Sequence, residues 1–223
     1  MKIHQSILAG FIACLFATGA AHAEVGVTVG LGTTGLGAHL SIPVQPNLNT
    51  RVGINAAHYN FADKSGSVDY DYKFKLQTVD VLADWFPMDG GFRVTGGLVY
   101  NGNKFEAHGK PAAGGGYEVN GTNYASGAGS INGGIEFRKA APYLGIGWGN
   151  AVAKDSGWGF SSDLGVLFQG SPKNTLTNTG CTLTSAVCAK LATDLAAERK
   201  NFDDDSSSFK YYPVLRVGAS YKF

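Results

Sequence analysis

The stretch FKYYPVLRVGASYKF, Phe209 to Phe223, decides the fold. Taken two at a time, Phe209, Tyr211, Pro213, Leu215, Val217, Ala219, Tyr221 and Phe223 share one face. Lys210, Tyr212, Val214, Arg216, Gly218, Ser220 and Lys222 share the other. A strand sends successive side chains to opposite faces. One face is wholly apolar, while the other holds three cations and two small residues. Alternation this long, carried to a closing aromatic, is what a strand needs when lipid lies on one side and a wet lumen on the other.

The same period recurs upstream. Alternating segments are read over residues 25–31, 36–44, 51–56, 70–85, 92–101, 131–138, 143–149, 158–169 and 174–179, so that the C-terminal stretch makes a tenth strand. Within 70–85 the parity flips: Tyr70, Tyr72 and Phe74 sit on the even positions, Val79, Val81 and Trp85 on the odd ones. One extra residue near Gln77-Thr78, a β-bulge, would produce that flip. Open sheet edges cannot face hydrocarbon. The expected fold is therefore all-β, a closed antiparallel transmembrane β-barrel of ten strands, with eight as the alternative if the weak strand at 174–179 fails. Turns at 45–49, 87–91, 139–141 and 170–172 are assigned to the periplasmic side. The longer connections 61–69, 107–127, 151–157 and 180–208 are assigned to the outer side, with 107–127 read as a glycine-rich loop.

Residues 1–23 read as a secretory leader. Lys2 opens it, an apolar run follows over 7–17, and Ala21-His22-Ala23 supplies a small-x-small cleavage site. Cys14 lies within the apolar run, and cleavage after Ala23 is the preferred reading over lipidation. Residues 24–223 form one barrel domain. The 18 Lys and Arg residues face 17 Asp and Glu residues, and removing Lys2 with the leader balances them. No clustered basic surface points to nucleic acid, and no run of apolar residues is long enough for a spanning helix. Two cysteines remain, Cys181 and Cys188. In an exported chain they are expected as a disulfide closing a small loop. Cys188, Leu191, Leu195 and Phe202 mark one stripe of a short helix within 180–208.

Aromatics sort toward strand ends: Trp85, Phe86, Phe92, Phe168, Tyr221 and Phe223 on the turn side, and Tyr72, Tyr100, Trp148, Trp158, Phe160 and Tyr211 on the loop side. Two such girdles fit the two membrane interfaces.

The leader, the alternating strands and the closing Tyr221-Lys222-Phe223 resemble a small Gram-negative outer-membrane β-barrel. The segments APYLGIGWG (141–149), GWGF (157–160) and DLGVLF (163–168) are similar to hairpins of the outer membrane protein A-like barrel superfamily. The resemblance implies residence in the cell outer membrane, outer-membrane lipids as surroundings, and recognition of Tyr221 and Phe223 by the barrel-assembly machinery. It does not bring a peptidoglycan-binding domain.

Charges assigned to the lumen are Arg51, Asp80, Asp84, Arg93, Glu136, Arg138, Asp163, Lys210 and Arg216, with Lys73 and Lys75. A narrow barrel packs such residues as ion pairs; a wider one would use them to select ions. The expected function is non-enzymatic: a monomeric structural or surface-interacting barrel with a mostly filled lumen, whose outer loops contact an extracellular ligand. The alternatives are a narrow porin-like channel and a lipid- or peptide-hydrolysing barrel. For the last, His39 and Ser41 share a face, and His58, Asp63, Asp69 and Asp71 crowd one loop. No metal spacing, catalytic set or cofactor-binding loop emerges, so no cofactor is expected.

Overall fold

The computed structural model describes residues 24–88, 90–153 and 157–223. The expected leader, Cys14 included, lies outside them. Thirteen strands appear among these residues: β1 (Gly26–Gly32), β2 (Gly35–Gln45), β3 (Leu48–Ser65), β4 (Val68–Trp85), β5 (Phe92–Asn101), β6 (Lys104–Pro111), β7 (Gly116–Val119), β8 (Thr122–Ala125), β9 (Ser130–Glu136), β10 (Ala140–Trp148), β11 (Gly157–Phe168), β12 (Lys173–Thr179) and β13 (Tyr211–Lys222). One α-helix, α1 (Ser185–Asp205), precedes β13.

Eight of these strands close an antiparallel barrel in the order β1-β2-β3-β4-β5-β10-β11-β13, with β13 pairing back onto β1. The ten-strand expectation is corrected to its alternative. The strands read at 131–138 and 174–179 exist as β9 and β12, but both stand above the barrel. β6 pairs with the N-terminal half of β4, β9 with β6, and β12 with β9. Sequence period does not distinguish a strand that crosses lipid from one that continues the wall into water. Neighbouring barrel strands β5, β10 and β11 are prolonged by β6, β9 and β12, so the outer half keeps the barrel's strand order. β1 and β2 stop early, at the two-residue connection Thr33-Thr34, and β13 begins only at Tyr211, preceded by the helix rather than by an upper strand. Above Ala56, β3 has no partner on that side.

The proposed bulge at Gln77-Thr78 is absent. The β3–β4 register runs unbroken from Leu48↔Trp85 to Ser65↔Val68. Even residues of β4 point inward along the whole strand. In the barrel these are Thr78, Asp80 and Asp84, facing the lumen. Above it they are Val68, Tyr70, Tyr72 and Phe74, an apolar face that is buried at Val68 and opens to solvent toward Phe74. The surroundings invert at the membrane border while the backbone does not: below it the outside is lipid, above it the outside is water, and Lys73 and Lys75 fall on that watery face. The two lysines are thus removed from the lumen.

The side assignments shift with the count. Among the expected turns, those at 45–49 and 87–91 share an end with both termini of the barrel and with the connection following Trp148. The turns at 139–141 and 170–172 belong to the opposite, outer end. The aromatic girdles persist with exchanged members. Trp85, Trp148, Trp158, Tyr221 and Phe223 stand outward near the end that holds both barrel termini. Tyr100, Phe168 and Tyr211 stand near the outer end, where Phe168 and Tyr211 meet edge to face at 5.6 Å. Between the girdles, Val29, Leu31, Val52, Ile54, Val81, Leu98, Leu144, Ile146, Leu164 and Leu215 are exposed around the circumference. In a protein that faced only water this belt would be an extreme liability.

The glycine-rich segment 107–127 is structured. β7 and β8 form a hairpin closed by Asn120-Gly121, with φ of +48° and +72°. Positive φ at both central residues is the turn whose twist matches a hairpin, and Asn-Gly is its preferred sequence. The hairpin, α1 and the inner face of the upper sheet enclose a small core of Val68, Tyr117, Val119, Tyr124, Ala128, Leu191 and Leu195. The expected helix is present and, at 21 residues, longer than a short loop helix. Its stripe buries Leu191 and Leu195, while Phe202 stays half exposed.

Candidate functional site

Two regions hold chemistry: the lumen, and a cleft between α1 and the upper sheet. The lumen side chains come from the polar phase of each barrel strand. Arg51 of β3 donates both terminal nitrogens to Asp163 of β11, at 2.8 and 3.0 Å, and reaches Asp84 of β4 at 3.1 Å. Arg93 of β5 donates to the same Asp163 at 2.8 Å and to the Gly149 carbonyl. Thr95 donates to Asp84 at 2.6 Å. Two guanidinium groups therefore face two carboxylates, and all four residues are less than a twentieth exposed.

A second cluster centres on Asp80. Arg216 reaches it at 2.9 Å, His39 at 3.1 Å, and Asn55 donates to it at 2.9 Å. Arg216 also donates to Thr34 and lies 5.7 Å from the centre of the Tyr143 ring. On the arc formed by β4, β5, β10, β11 and β13 the interior turns apolar, with Leu82, Val99, Ala141, Tyr143, Leu167 and Val214 in contact. Toward the mouth that holds both barrel termini Lys222 bonds Glu24 and the Ala153 carbonyl. The cavity among these groups measures about 20 Å³, the room of about one water molecule. Glycines make this filling fit. A Cβ on Gly53 would lie 2.0 Å from the His39 ring, and one on Gly165 would lie 2.5 Å from the Tyr143 hydroxyl.

The expected lumen residues divide. Arg51, Asp80, Asp84, Arg93, Asp163 and Arg216 meet inside the barrel. Glu136, Arg138 and Lys210 do not. Glu136 is on the upper sheet, paired with Lys104 at 3.1 Å, and Arg138 and Lys210 are exposed at the outer rim. All three followed from treating β9 and the 209–210 corner as parts of the spanning wall. His39 and Ser41 are both buried, but His39 is engaged by Asp80 rather than by Ser41. Asp63, Asp69, Asp71 and His58 lie on exposed positions of the β3–β4 hairpin, where Asp69 pairs with Lys64 at 3.0 Å. No group of His, Cys, Asp and Glu suited to a metal occurs among the described residues.

The outer cleft was invisible as a unit in the sequence. Cys181 and Cys188 are joined, tethering the start of α1. Tyr124 donates to Asp194 at 2.5 Å, and Lys190 bonds Asp194 at 2.7 Å and Thr122 at 3.1 Å, pinning the helix to the β7–β8 hairpin. The Lys190 ammonium and the Tyr124 hydroxyl hold the Asp194 carboxyl well below its ordinary value of 3.8, at about 2. At the helix's other end, Asn174 of β12 donates to Asp203 and Ser206. Between α1 and the sheet lie two chambers of about 220 Å³ each, which share Ala107, Gly133, Leu176 and Glu198. A run of stacked rings on the same sheet face leads into them: Phe61–Tyr72 at 4.8 Å, Tyr70–Tyr72 at 5.7 Å and Phe74–Phe105 at 4.5 Å. The Asn-Gly turn and the stripe at Leu191 and Leu195 are the only local signals that could have announced this assembly.

No protein-family model matches the chain, and no curated protein matches it in sequence. Solved structures do. CarO of Acinetobacter baumannii is 25% identical, with a TM-score of 0.57 over 90% of this chain and 98% of its own. CarO2 of Acinetobacter baumannii is 23% identical, with a TM-score of 0.58 over 90% and 99%. A major outer membrane protein of Thermus thermophilus, at 18% identity and a TM-score of 0.42 over 91% and 100%, is too loose a likeness to argue from. The neighbours are outer-membrane β-barrel proteins, and the outer membrane is where this chain's apolar belt and closed sheet belong.

Proposed function

We propose that this outer-membrane β-barrel is a non-enzymatic, non-conducting protein whose barrel anchors an outer binding module. The observation that carries the reading is the lumen: two neutralised charge clusters and an apolar arc leave a cavity of about 20 Å³. Eight strands give an interior just wide enough for side chains to fill it, as in barrels of the outer membrane protein A type. That agreement supports kinship with the superfamily the sequence resembles. A small-solute channel would need a continuous path where Arg51, Asp163 and Arg93 are bonded across the lumen. A hydrolase would need a serine hydrogen-bonded to the histidine and open to substrate, whereas the His39 ring bonds Asp80 within the lumen cluster and both His39 and Ser41 are buried.

Lipids of a Gram-negative outer membrane surround the girdled belt in this reading. The barrel-assembly machinery reads Tyr221 and Phe223, and the unit is a monomer that follows removal of residues 1–23. The test is conductance. Protein inserted in planar bilayers is expected to give no discrete current steps; reproducible steps that vanish on Arg93→Ala or shift in ion preference on Asp84→Asn would overturn the proposal.

A further inference from the structure

We infer that the outward face of the upper sheet holds the headgroup of a phosphorylated glycolipid from the leaflet around it. The inference rests on the outer-membrane barrel reading and deepens it, since it names which lipid the wall selects just above its apolar belt.

The register lines up Lys75, Lys104, Glu136 and Lys173 in one row across β4, β6, β9 and β12. Their strand positions face water, on the side of the sheet away from α1. Beneath this row, the barrel strands that β6, β9 and β12 prolong expose Leu98, Tyr100, Leu144, Leu164 and Phe168. The next row outward is Lys73, Glu106, Gly134 and Thr175. It has no side chain at its third place, and the wall is hollowed there. The hollow measures about 540 Å³, with Lys73 on one rim and Lys173 on the other. Its charges are sorted. Both carboxylates, Glu106 and Glu136, are taken by one ammonium, Lys104, at 2.8 and 3.1 Å. Lys73, Lys75 and Lys173 have no ion pair or side-chain hydrogen bond among the described residues; the first two act on Glu106 only through space. Along β4 the acids Asp71 and Asp69 come further out. The two cationic rims stand three strand spacings apart, about 14 Å.

These features choose the headgroup. Lipid lies against this wall whatever its chemistry, because the apolar belt below the row is exposed in a membrane protein. The lysines are exposed because their partner is in the leaflet rather than in the protein. A choline or ethanolamine head brings a cation, along with its phosphate, to a row that already holds uncompensated cations. A lipid with one phosphate diester meets one rim and leaves the other unmatched. A sugar headgroup phosphorylated at both ends meets both rims through charge-assisted hydrogen bonds. Its hydroxyls then lie over Thr175 and Thr177, whose side-chain oxygens still accept after donating to the Gly134 and Asn132 carbonyls at 3.3 and 3.5 Å. Its acyl chains run down over Leu98, Leu144 and Leu164.

The test uses the whole mature protein in detergent micelles, with native mass spectrometry to count the lipids that stay bound. The probes are a glucosamine-disaccharide lipid phosphorylated at both ends, the same lipid with its phosphates removed, phosphatidylglycerol and phosphatidylethanolamine. A basic side chain at an anionic lipid surface strengthens association about fivefold. The diphosphorylated lipid is therefore expected to be retained at least about tenfold more than each of the others, the order of two such contacts with partial screening. Lys73→Gln, Lys75→Gln and Lys173→Gln combined should erase that preference. Thr175→Trp, which fills the hollow and keeps every lysine, should erase it too. Heat-modifiable mobility in gels checks that both variants still form the barrel. Equal retention of the dephosphorylated lipid or of phosphatidylglycerol, or a preference that survives the triple substitution, overturns the inference and leaves the anchor reading standing. Current steps in planar bilayers would remove the anchor reading and leave the retention result intact, so the two failures are read separately.

Discussion

At Asp163 two guanidinium groups converge on one carboxylate. Replacing it with Asn keeps the shape and removes the charge, leaving Arg51 and Arg93 with one anion, Asp84, between them. Breaking a buried pair in this way costs on the order of 3–5 kcal/mol. We expect Asp163→Asn to lower the urea midpoint of barrel unfolding in detergent, followed by the mobility difference between heated and unheated protein in gels; an unchanged midpoint would mean that the lumen is wetter than the geometry implies. Asp194 supplies the pH dependence. Its folded-state value, about 2, lies below its ordinary 3.8. A carboxylate held low in the folded state stabilises fully above its unfolded value and loses that contribution as protons bind. The docked helix should therefore be pH-independent above about 5 and loosen as pH falls from about 4 toward 2. Amide exchange in α1 should report this, and Asp194→Asn should abolish the acid step. The sequence showed Asp163 as an inward charge because parity alone places it. It held no sign of Asp194's role, since the partner Tyr124 is 70 residues away.

At the scale of the element, α1 is held by few contacts. Leu191 and Leu195 are buried against the β7–β8 hairpin and the sheet, and the disulfide fixes its first turn. Leu191→Ala should cost about 2–5 kcal/mol of local stability and release the helix from the sheet without opening the barrel. Faster cleavage within 185–205 by added protease, with unchanged heat-modifiable mobility, is the expected pair of observations. Strand β4 shows what a period can and cannot say. Its even residues keep one orientation for 18 residues. Hydrophobicity nevertheless inverts at Gln77, since which face is apolar depends on whether lipid or water lies outside. The inversion looks like a bulge to anyone who assumes a single environment along the strand.

Across the whole molecule, the barrel closes without its outer insertion. β5 and β10 pair directly, Ala140 with Tyr100 through Trp148 with Phe92, so the wall does not need β6 to β9. A chain in which 102–139 is replaced by a short turn should still assemble a heat-modifiable barrel and remain electrically silent, while losing the outer core and the cleft. Failure to assemble would show the upper sheet to be part of the folding unit. The sequence by itself determined the all-β class, the lipid-facing belt, the cysteine pair and the inward position of six lumen charges, because each follows from period two or from nearest-neighbour spacing along one chain. Only the tertiary structure decided that eight strands rather than ten cross the membrane, that Glu136, Arg138 and Lys210 lie outside the lumen, and that α1 and the upper sheet enclose a cleft. Those outcomes depend on which strands pair and where the membrane ends, and a strand carries the same alternation whichever neighbour it finds.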